Sequence, residues 1–171
     1  MNLTPHNNPL LLKEGAGGGR TLVLGMGNDI LCDDAVGLIA ARAIREDFGD
    51  KVEVVETSEA GLALIEILEG YKQVLILDAI KTDSVPVGTI LEYTPDDFQK
   101  IVAPSPHYAG LPEVLEMAKR LSLDFPSDIR ILAMEVESPF EIREGLTEAV
   151  EKALPEFIAR AKKSLREMLD Q

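Results

Sequence analysis

The sequence is poor in cysteine, has no tryptophan and lacks any long apolar run. Cys32 is the only cysteine among 171 residues, which excludes an intramolecular disulfide and a four-thiolate zinc site. This usage fits a reducing compartment, so we predict a cytoplasmic protein. No stretch approaches the roughly 18 continuous apolar residues of a membrane span, and no basic flank precedes an apolar run at the N-terminus. We therefore expect neither secretion nor membrane insertion.

Positive charge is also scarce. The chain has 17 Lys and Arg against 30 Asp and Glu, a formal net charge of -13. Affinity for nucleic acid depends largely on lysines and arginines that displace counterions from the phosphate backbone, so a nucleic-acid partner is not expected. The acidity is compatible with solubility alone and gives only weak support for a cationic ligand or a basic partner.

Two regions differ in composition. Residues 1–20 contain Pro5, Pro9 and a glycine-rich run, a composition that cannot repay the entropy of ordering. We predict that they form a flexible N-terminal tail. Residues 21–171 alternate between apolar runs and segments of helical spacing, and their length suits a single domain.

The alternation predicts the fold class. We expect strands at 21–25, 52–56, 73–77, 88–93 and 129–134 and helices that start near residues 34, 62, 111 and 147. Pro155 is expected to kink or divide the last helix. Strands that alternate with helices indicate an α/β fold of three layers, α/β/α, around a central, mostly parallel twisted sheet of about five strands.

Such sheets bind ligands beyond the carboxyl ends of their strands. The edge should receive the loop from Gly25 to Asp34, the carboxylate of Asp78, the segment around His107 and the loop from Glu135 to Phe140. The chemistry is expected there.

A glycine-rich turn follows the first strand, and a dinucleotide fingerprint is the first reading to test. Ile30 occupies the third glycine position, Glu56 lies too far on for the ribose contact, and nearby carboxylates would repel a pyrophosphate. We therefore expect no nucleotide cofactor. Gly25 and Gly27 can equally serve only to permit a tight turn between strand and helix.

Three ionisable residues are candidates for a metal site. Asp34 could bind a ligand or, with Asp33, could simply cap a helix. Asp78 follows an apolar strand, where a carboxylate is costly unless it is paired. His107 is the only histidine outside the tail. Two carboxylates and an imidazole suit a borderline divalent ion such as nickel, zinc, manganese or iron, and they leave coordination open.

Schemes that use a nucleophilic side chain have less support. The chain lacks a Gly-x-Ser-x-Gly elbow and a His-Glu-x-x-His helix, and Ser105 is too close in sequence to His107 to be its partner in a triad. A helix N-terminus could activate Cys32, whereas the negative charges of Asp33 and Asp34 beside it would oppose a thiolate. Cys32 is therefore read mainly as a small packed residue.

The stretch LGMGNDILCDDAVG from Leu24 to Gly37 resembles the N-terminal signature of the nickel-iron hydrogenase maturation endopeptidases. LILDA around Asp78 and SPHYAGL around His107 resemble that family's other two functional stretches, in the same order. Gly145 to Thr147, before the last helix, is also similar. The resemblance spans roughly residues 21–155 and implies a single α/β peptidase domain over 21–171.

The resemblance implies an endopeptidase that removes a short C-terminal extension from a hydrogenase large-subunit precursor after nickel insertion. Two acidic residues and a histidine of that family bind nickel, carried here by Asp34, Asp78 and His107. The nickel belongs to the precursor, so it reports readiness and is not a stored cofactor. Asp34 and Asp78 are then also catalytic candidates, and the loop with Gly25, Gly27 and Asn28 is expected to meet the substrate.

The sequence departs from the family pattern between Glu56 and Gly61, where an Asp-Gly-Gly-Thr-like turn is expected; this bears on substrate docking. Two alternatives stay open at the level of sequence. One is a non-proteolytic nickel-binding assembly chaperone for hydrogenase. The other is a cysteine peptidase that uses Cys32 with His107.

Overall fold

A computed structural model describes residues 20–99, 111–137, 139 and 141–171. Within these ranges five strands form one sheet: β1 (Thr21–Met26), β2 (Glu53–Thr57), β3 (Gln73–Ile80), β4 (Ile90–Tyr93) and β5 (Asp128–Glu135). The helices are α1 (Val36–Phe48), α2 (Ala63–Leu68), α3 (Leu111–Arg120) and α4 (Glu148–Leu169). A 3-10 turn at Cys32–Ala35 leads into α1. Among the described residues, no helix combines the length and apolar content needed to cross a bilayer.

The strand order is β2-β1-β3-β5-β4. Neighbouring strands are parallel except for β4, which runs antiparallel to β5 at one edge. The mostly parallel five-stranded sheet predicted from the sequence is therefore confirmed. The chain winds outward from β1 to β2 and then returns to β3 on the other side of β1. Doubly wound sheets bind ligands at such a reversal, here between β1 and β3.

Two apolar cores cover the two faces of the sheet. Every residue of β1 and β3 is buried, as expected for strands covered on both sides. Val23, Leu75 and Leu77 pack with α1 and α4, whereas Leu22 and Ile76 pack with α2 and α3. The predicted three-layer arrangement is thus formed by alternate side chains of the same strands.

Small residues bring α1 close to the sheet. A Cβ added at Gly25 would lie 2.6 Å from the Cβ of Ala41. A Cβ at Gly37 would overlap the carbonyl oxygen of Leu77 and would lie 2.5 Å from that of Met26. The start of α1 is therefore held directly against the ends of β1 and β3, which fixes the position of the preceding 3-10 turn.

Several local predictions need correction. The first helix was expected to begin at Asp34, but that residue lies in the 3-10 turn and α1 starts at Val36. Asp78 was expected just after its strand, but β3 continues to Ile80 because it keeps pairing with β5. The last helix was expected to bend or divide at Pro155, and α4 is not divided there. The predicted tail over residues 1–19 and the candidate ligand His107 lie outside the described residues.

Candidate active site

Asp34 and Asp78 lie on the two elements that border the reversal between β1 and β3. Gly25 pairs with Leu77 in the sheet, so Asp78 is one residue beyond that pair on β3. Its side chain is fully buried, and its Oδ1 accepts a hydrogen bond from the backbone N of Ala79 at 2.8 Å. Asp34, in the 3-10 turn that follows β1, is 3% exposed. Both carboxylates thus lie at the end of the sheet where a doubly wound fold binds its ligand.

The turn after β1 depends on glycine at position 27. Gly27 has φ of 141°, a conformation that L side chains rarely adopt. A Cβ there would overlap the backbone carbonyl oxygen of Asp34 and would lie 3.6 Å from its Oδ2. The backbone N of Gly27 donates to the carbonyl oxygen of Thr57 at 3.0 Å. Gly27 therefore permits the close approach that sets Asp34 beside the strand end.

Asn28 shapes the rest of this turn. Its Oδ1 accepts a hydrogen bond from the backbone N of Ile30 at 3.2 Å, and its carbonyl oxygen accepts one from the N of Leu31 at 3.1 Å. Side chains of this type commonly stabilise such turns by bonding to the backbone two residues on. The predicted substrate loop is thus an ordered turn, with Asn28 half-buried at its tip.

Arg42 on α1 ties two strand ends together. Its Nη1 and Nη2 donate to the two carboxylate oxygens of Asp29 at 2.9 and 2.7 Å, and its Nε donates to Oε2 of Glu56 at 2.8 Å. Arg45 also donates to Glu56, at 2.8 Å. The hydrogen bonds from Arg42 hold the pKa of Asp29 below its usual range. Glu56, where the sequence departs from the family pattern, therefore anchors β2 to α1.

Asp33 caps a helix, but not the one that follows it. Its Oδ1 accepts a hydrogen bond from the backbone N of Thr147 at 2.7 Å, and its Oδ2 accepts one from Thr147 Oγ1 at 2.9 Å. Thr147 is the residue before α4, and the cap of α1 makes no side-chain hydrogen bond. The hydrogen bonds of Asp33 therefore connect the glycine turn to the start of α4, and not to the start of α1 as expected.

Cys32 is buried beside an arginine. The side chain is 1% exposed, and Arg143 Nη2 donates to its Sγ at 3.2 Å. This contact with the sulfur is the main reason that the pKa of Arg143 is raised. The two loops are also joined through their backbones, from Cys32 N to Arg143 O at 2.8 Å and from Arg143 N to Ile30 O at 3.2 Å. Cys32 therefore links two loops and lies away from solvent.

Glu135, at the end of β5, is a further buried carboxylate. It is 1% exposed and accepts hydrogen bonds from the backbone N and Oγ1 of Thr82 and from the backbone N of Asp83, each at 2.8 Å. These three donors come from the loop after β3, so Glu135 fixes that loop at the same edge as Asp78. Sequence reasoning assigned no role to Glu135, Arg42 or Arg143, although an acidic residue that ends a buried strand was a visible signal.

The arrangement places two buried carboxylates at one edge of the sheet, surrounded by loops that hydrogen bonds hold in place. Carboxylate oxygens are suitable donors to a divalent cation, and either could accept a proton from water. In the described part of the chain, no group of three or more His, Cys, Asp and Glu side chains is placed to hold a metal ion. His107, the third predicted ligand, lies outside that part, so the three-ligand site stays a prediction.

The fold and the site define an α/β protein with two buried carboxylates at the ligand-binding edge of its sheet, and comparison with known proteins identifies the family. The family model described as hydrogenase maturation protease matches residues 37–164. The hydrogenase 2 maturation protease of Escherichia coli K12 is 32% identical over 154 residues, which covers 86% of this chain and 92% of that protein. The chain therefore belongs to the hydrogenase maturation protease family, as its sequence signature indicated, and is a peptidase.

Solved structures agree with this assignment. The hydrogenase maturating endopeptidase HybD of E. coli superposes with a TM-score of 0.75 at 30% identity, over 87% of this chain and 93% of that one. HybD of Thermococcus kodakarensis gives a TM-score of 0.66 at 24% identity, over 85% and 98%. At that identity the second comparison supports the fold alone.

Proposed function

We propose that this peptidase acts in the cytoplasm and removes the C-terminal extension of a nickel-iron hydrogenase large-subunit precursor after nickel insertion. Asp34, Asp78 and His107 then recognise the nickel carried by the precursor. The observation that supports this proposal is the pair of buried carboxylates at the β1/β3 reversal, on a chain of the hydrogenase maturation protease family.

Electrostatics give the pair a checkpoint role. Like charges brought to one buried edge raise each other's energy, and a divalent cation that arrives with the substrate removes that penalty. A precursor without nickel would bring no compensating charge and would dock poorly. Selectivity for the nickel-loaded precursor then has two sources: favourable contacts with the nickel, and the uncompensated repulsion that disfavours binding of a precursor without nickel.

The same residues allow two routes to peptide-bond cleavage. Either carboxylate could accept a proton from the attacking water, or the substrate's nickel could polarise the scissile carbonyl. In both routes the substrate backbone approaches the carboxylates past the glycine turn, where Asn28 is half-buried. Gly25 and Gly27 are themselves buried and hold α1 and Asp34 in place. Cleavage by Cys32 has little support, since that side chain is buried and accepts a hydrogen bond from Arg143.

The test is cleavage of a purified large-subunit precursor, with and without nickel, followed by mass spectrometry. Wild type should release one C-terminal peptide from the nickel-loaded precursor only. Asp34→Asn, Asp78→Asn and His107→Ala should each lower the rate about 100-fold or more. Asp50→Asn is the matched control, because Asp50 is exposed at the opposite edge of the sheet, and it should cleave normally.

A thermal titration with nickel tests recognition separately from cleavage. An ion that binds only the folded protein should stabilise it by roughly 2.7 kcal/mol at about 100 times its dissociation constant. Wild type and Asp50→Asn should show this shift, and the three site variants should lose it. If all three keep both the shift and wild-type cleavage, the proposed site is wrong.

A further inference from the structure

Large apolar side chains are exposed at the edge of the sheet that carries the two carboxylates. Ile30, in the loop after β1, is 57% exposed; Leu62, after β2, is 62% exposed; and Ile142, after β5, is 82% exposed. All three loops follow parallel strands, so they lie at the same edge. Apolar side chains exposed singly are ordinary, but three on adjoining loops at one edge favour a docking surface. We call these three residues the apolar rim.

Backbone hydrogen bonds join the three loops of the apolar rim. Gly27 N donates to the carbonyl oxygen of Thr57, which connects the loops after β1 and β2 at 3.0 Å. The loops after β1 and β5 are connected through Ile30 O, which accepts from Arg143 N at 3.2 Å, and through an isolated parallel bridge between Leu31 and Arg143. The apolar rim therefore borders the turn that contains Asp34, and backbone hydrogen bonds fix the positions of its three loops.

The charges of these loops are mostly negative. Residues 27–31, 58–62 and 136–147 contain five acidic residues and one basic residue, Arg143. Glu59, Glu141 and Glu144 are exposed. Arg143 lies 3.9 Å from Glu141, and Asp29 is paired with Arg42 of α1 at 2.7 Å. Glu59, Glu137 and Glu144 leave the loops with a net negative charge after these two pairs. A ligand that covers the apolar rim thus meets a surface that favours positive charge.

We propose that the apolar rim binds the polypeptide that borders the scissile bond of the substrate, through large apolar side chains flanked by lysine or arginine. This proposal rests on the proposed function, because a protein substrate must cross this edge to bring its peptide bond to Asp34 and Asp78. The apolar rim shares its edge of the sheet with the two carboxylates, and its loops are acidic; these two features identify the occupant as a basic, apolar segment. Leu62 and Ile142 engage the chain on the two sides of the turn.

The test measures the affinity of the protein for immobilised, nickel-loaded precursor. Ile30→Ser, Leu62→Ser and Ile142→Ser should each weaken binding about tenfold, the loss expected when one large side chain is no longer buried. Their melting temperatures should match wild type, since all three positions are exposed.

Leu121→Ser is the matched control. Leu121 has the same 62% exposure as Leu62 but follows α3, at the opposite edge of the sheet. It should bind precursor as wild type does. Unchanged affinity in the three rim variants, or an equal loss in Leu121→Ser, would overturn the proposal.

Two further readouts separate the basic segment from the apolar contacts and from the proposed function. Wild-type binding should weaken when salt rises from 0.1 to 0.5 M and when the lysines and arginines near the cleavage point are replaced by glutamine. Absence of both effects would overturn the basic part of the proposal. If the wild-type protein binds the precursor but does not cleave it, the proposed function is contradicted, and the affinities of the rim variants still test the apolar rim. If the wild-type protein neither binds nor cleaves the precursor, both proposals are overturned.

Discussion

The carboxylate of Asp33 accepts two hydrogen bonds from Thr147, at 2.7 Å from the backbone N and at 2.9 Å from Oγ1. Asp33 is fully buried, and Thr147 immediately precedes α4. One side chain thus satisfies a free amide at the start of the longest described helix and fixes the turn that contains Asp34. A buried carboxylate is costly alone and stabilising when it is fully hydrogen-bonded.

Removing this carboxylate should strongly destabilise the fold. We expect Asp33→Ala to lower the free energy of unfolding by about 2–4 kcal/mol, because it leaves the Thr147 amide without its acceptor. Thr147→Ala should cost less, about 1–2 kcal/mol, since the backbone amide keeps its bond. Urea unfolding of both variants and the double variant gives the coupling. Additive losses would show that the two residues act independently.

Gly27→Ala should be more harmful than an alanine at another glycine of positive φ. Its Cβ would overlap the carbonyl oxygen of Asp34, so the turn must move; we expect a loss of at least about 3 kcal/mol, together with loss of cleavage. Gly49, with φ of 53°, has no heavy atom within 4 Å of an added Cβ. Gly49→Ala should therefore cost less, no more than about 3 kcal/mol, from its backbone conformation alone. Equal losses in thermal unfolding would contradict the steric argument.

The sequence predicted the sheet mainly because β1 and β3 are nearly continuous apolar runs, and both are buried along their whole length. It also placed Asp34 and Asp78 at the correct edge, since strand direction alone decides that. Their surroundings could not be predicted in the same way. Arg42 with Glu56 and Asp33 with Thr147 are contacts between distant parts of the chain, and no local pattern encodes such a pairing.

Asp29 gives the fold a specific pH dependence. Its pKa is lowered by the hydrogen bonds from Arg42, so its stabilising contribution is present above the pKa of the unfolded state, about 3.9. That contribution is lost as pH falls through the lower pKa of the folded state. Because the Asp29 side chain is 54% exposed, solvent screening keeps the effect at or below about 1 kcal/mol.

The comparison that isolates this effect is wild type against Asp29→Asn in thermal unfolding between pH 2 and pH 7. Wild type should be more stable at neutral pH, and the difference should shrink as the medium becomes acidic. Asp50→Asn serves as a control that lacks the arginine partner. A difference that grows toward low pH would have the wrong sign and would contradict the assignment.

Cys32→Ala should retain cleavage of nickel-loaded precursor within about threefold. The Cys32 side chain is 1% exposed and accepts a hydrogen bond from Arg143 at 3.2 Å, so its sulfur cannot reach a substrate carbonyl without opening the two loops that it joins. Loss of the packed sulfur should lower the free energy of unfolding by about 1–2 kcal/mol. Cys32→Ser is the companion variant, because it keeps a group that can accept the Arg143 hydrogen bond.

Slow labelling of folded wild type by iodoacetamide, and rapid labelling in urea, would verify the burial of the Cys32 thiol independently. If Cys32→Ala folds and binds precursor yet fails to cleave it, the thiol is the nucleophile and the carboxylate scheme is wrong.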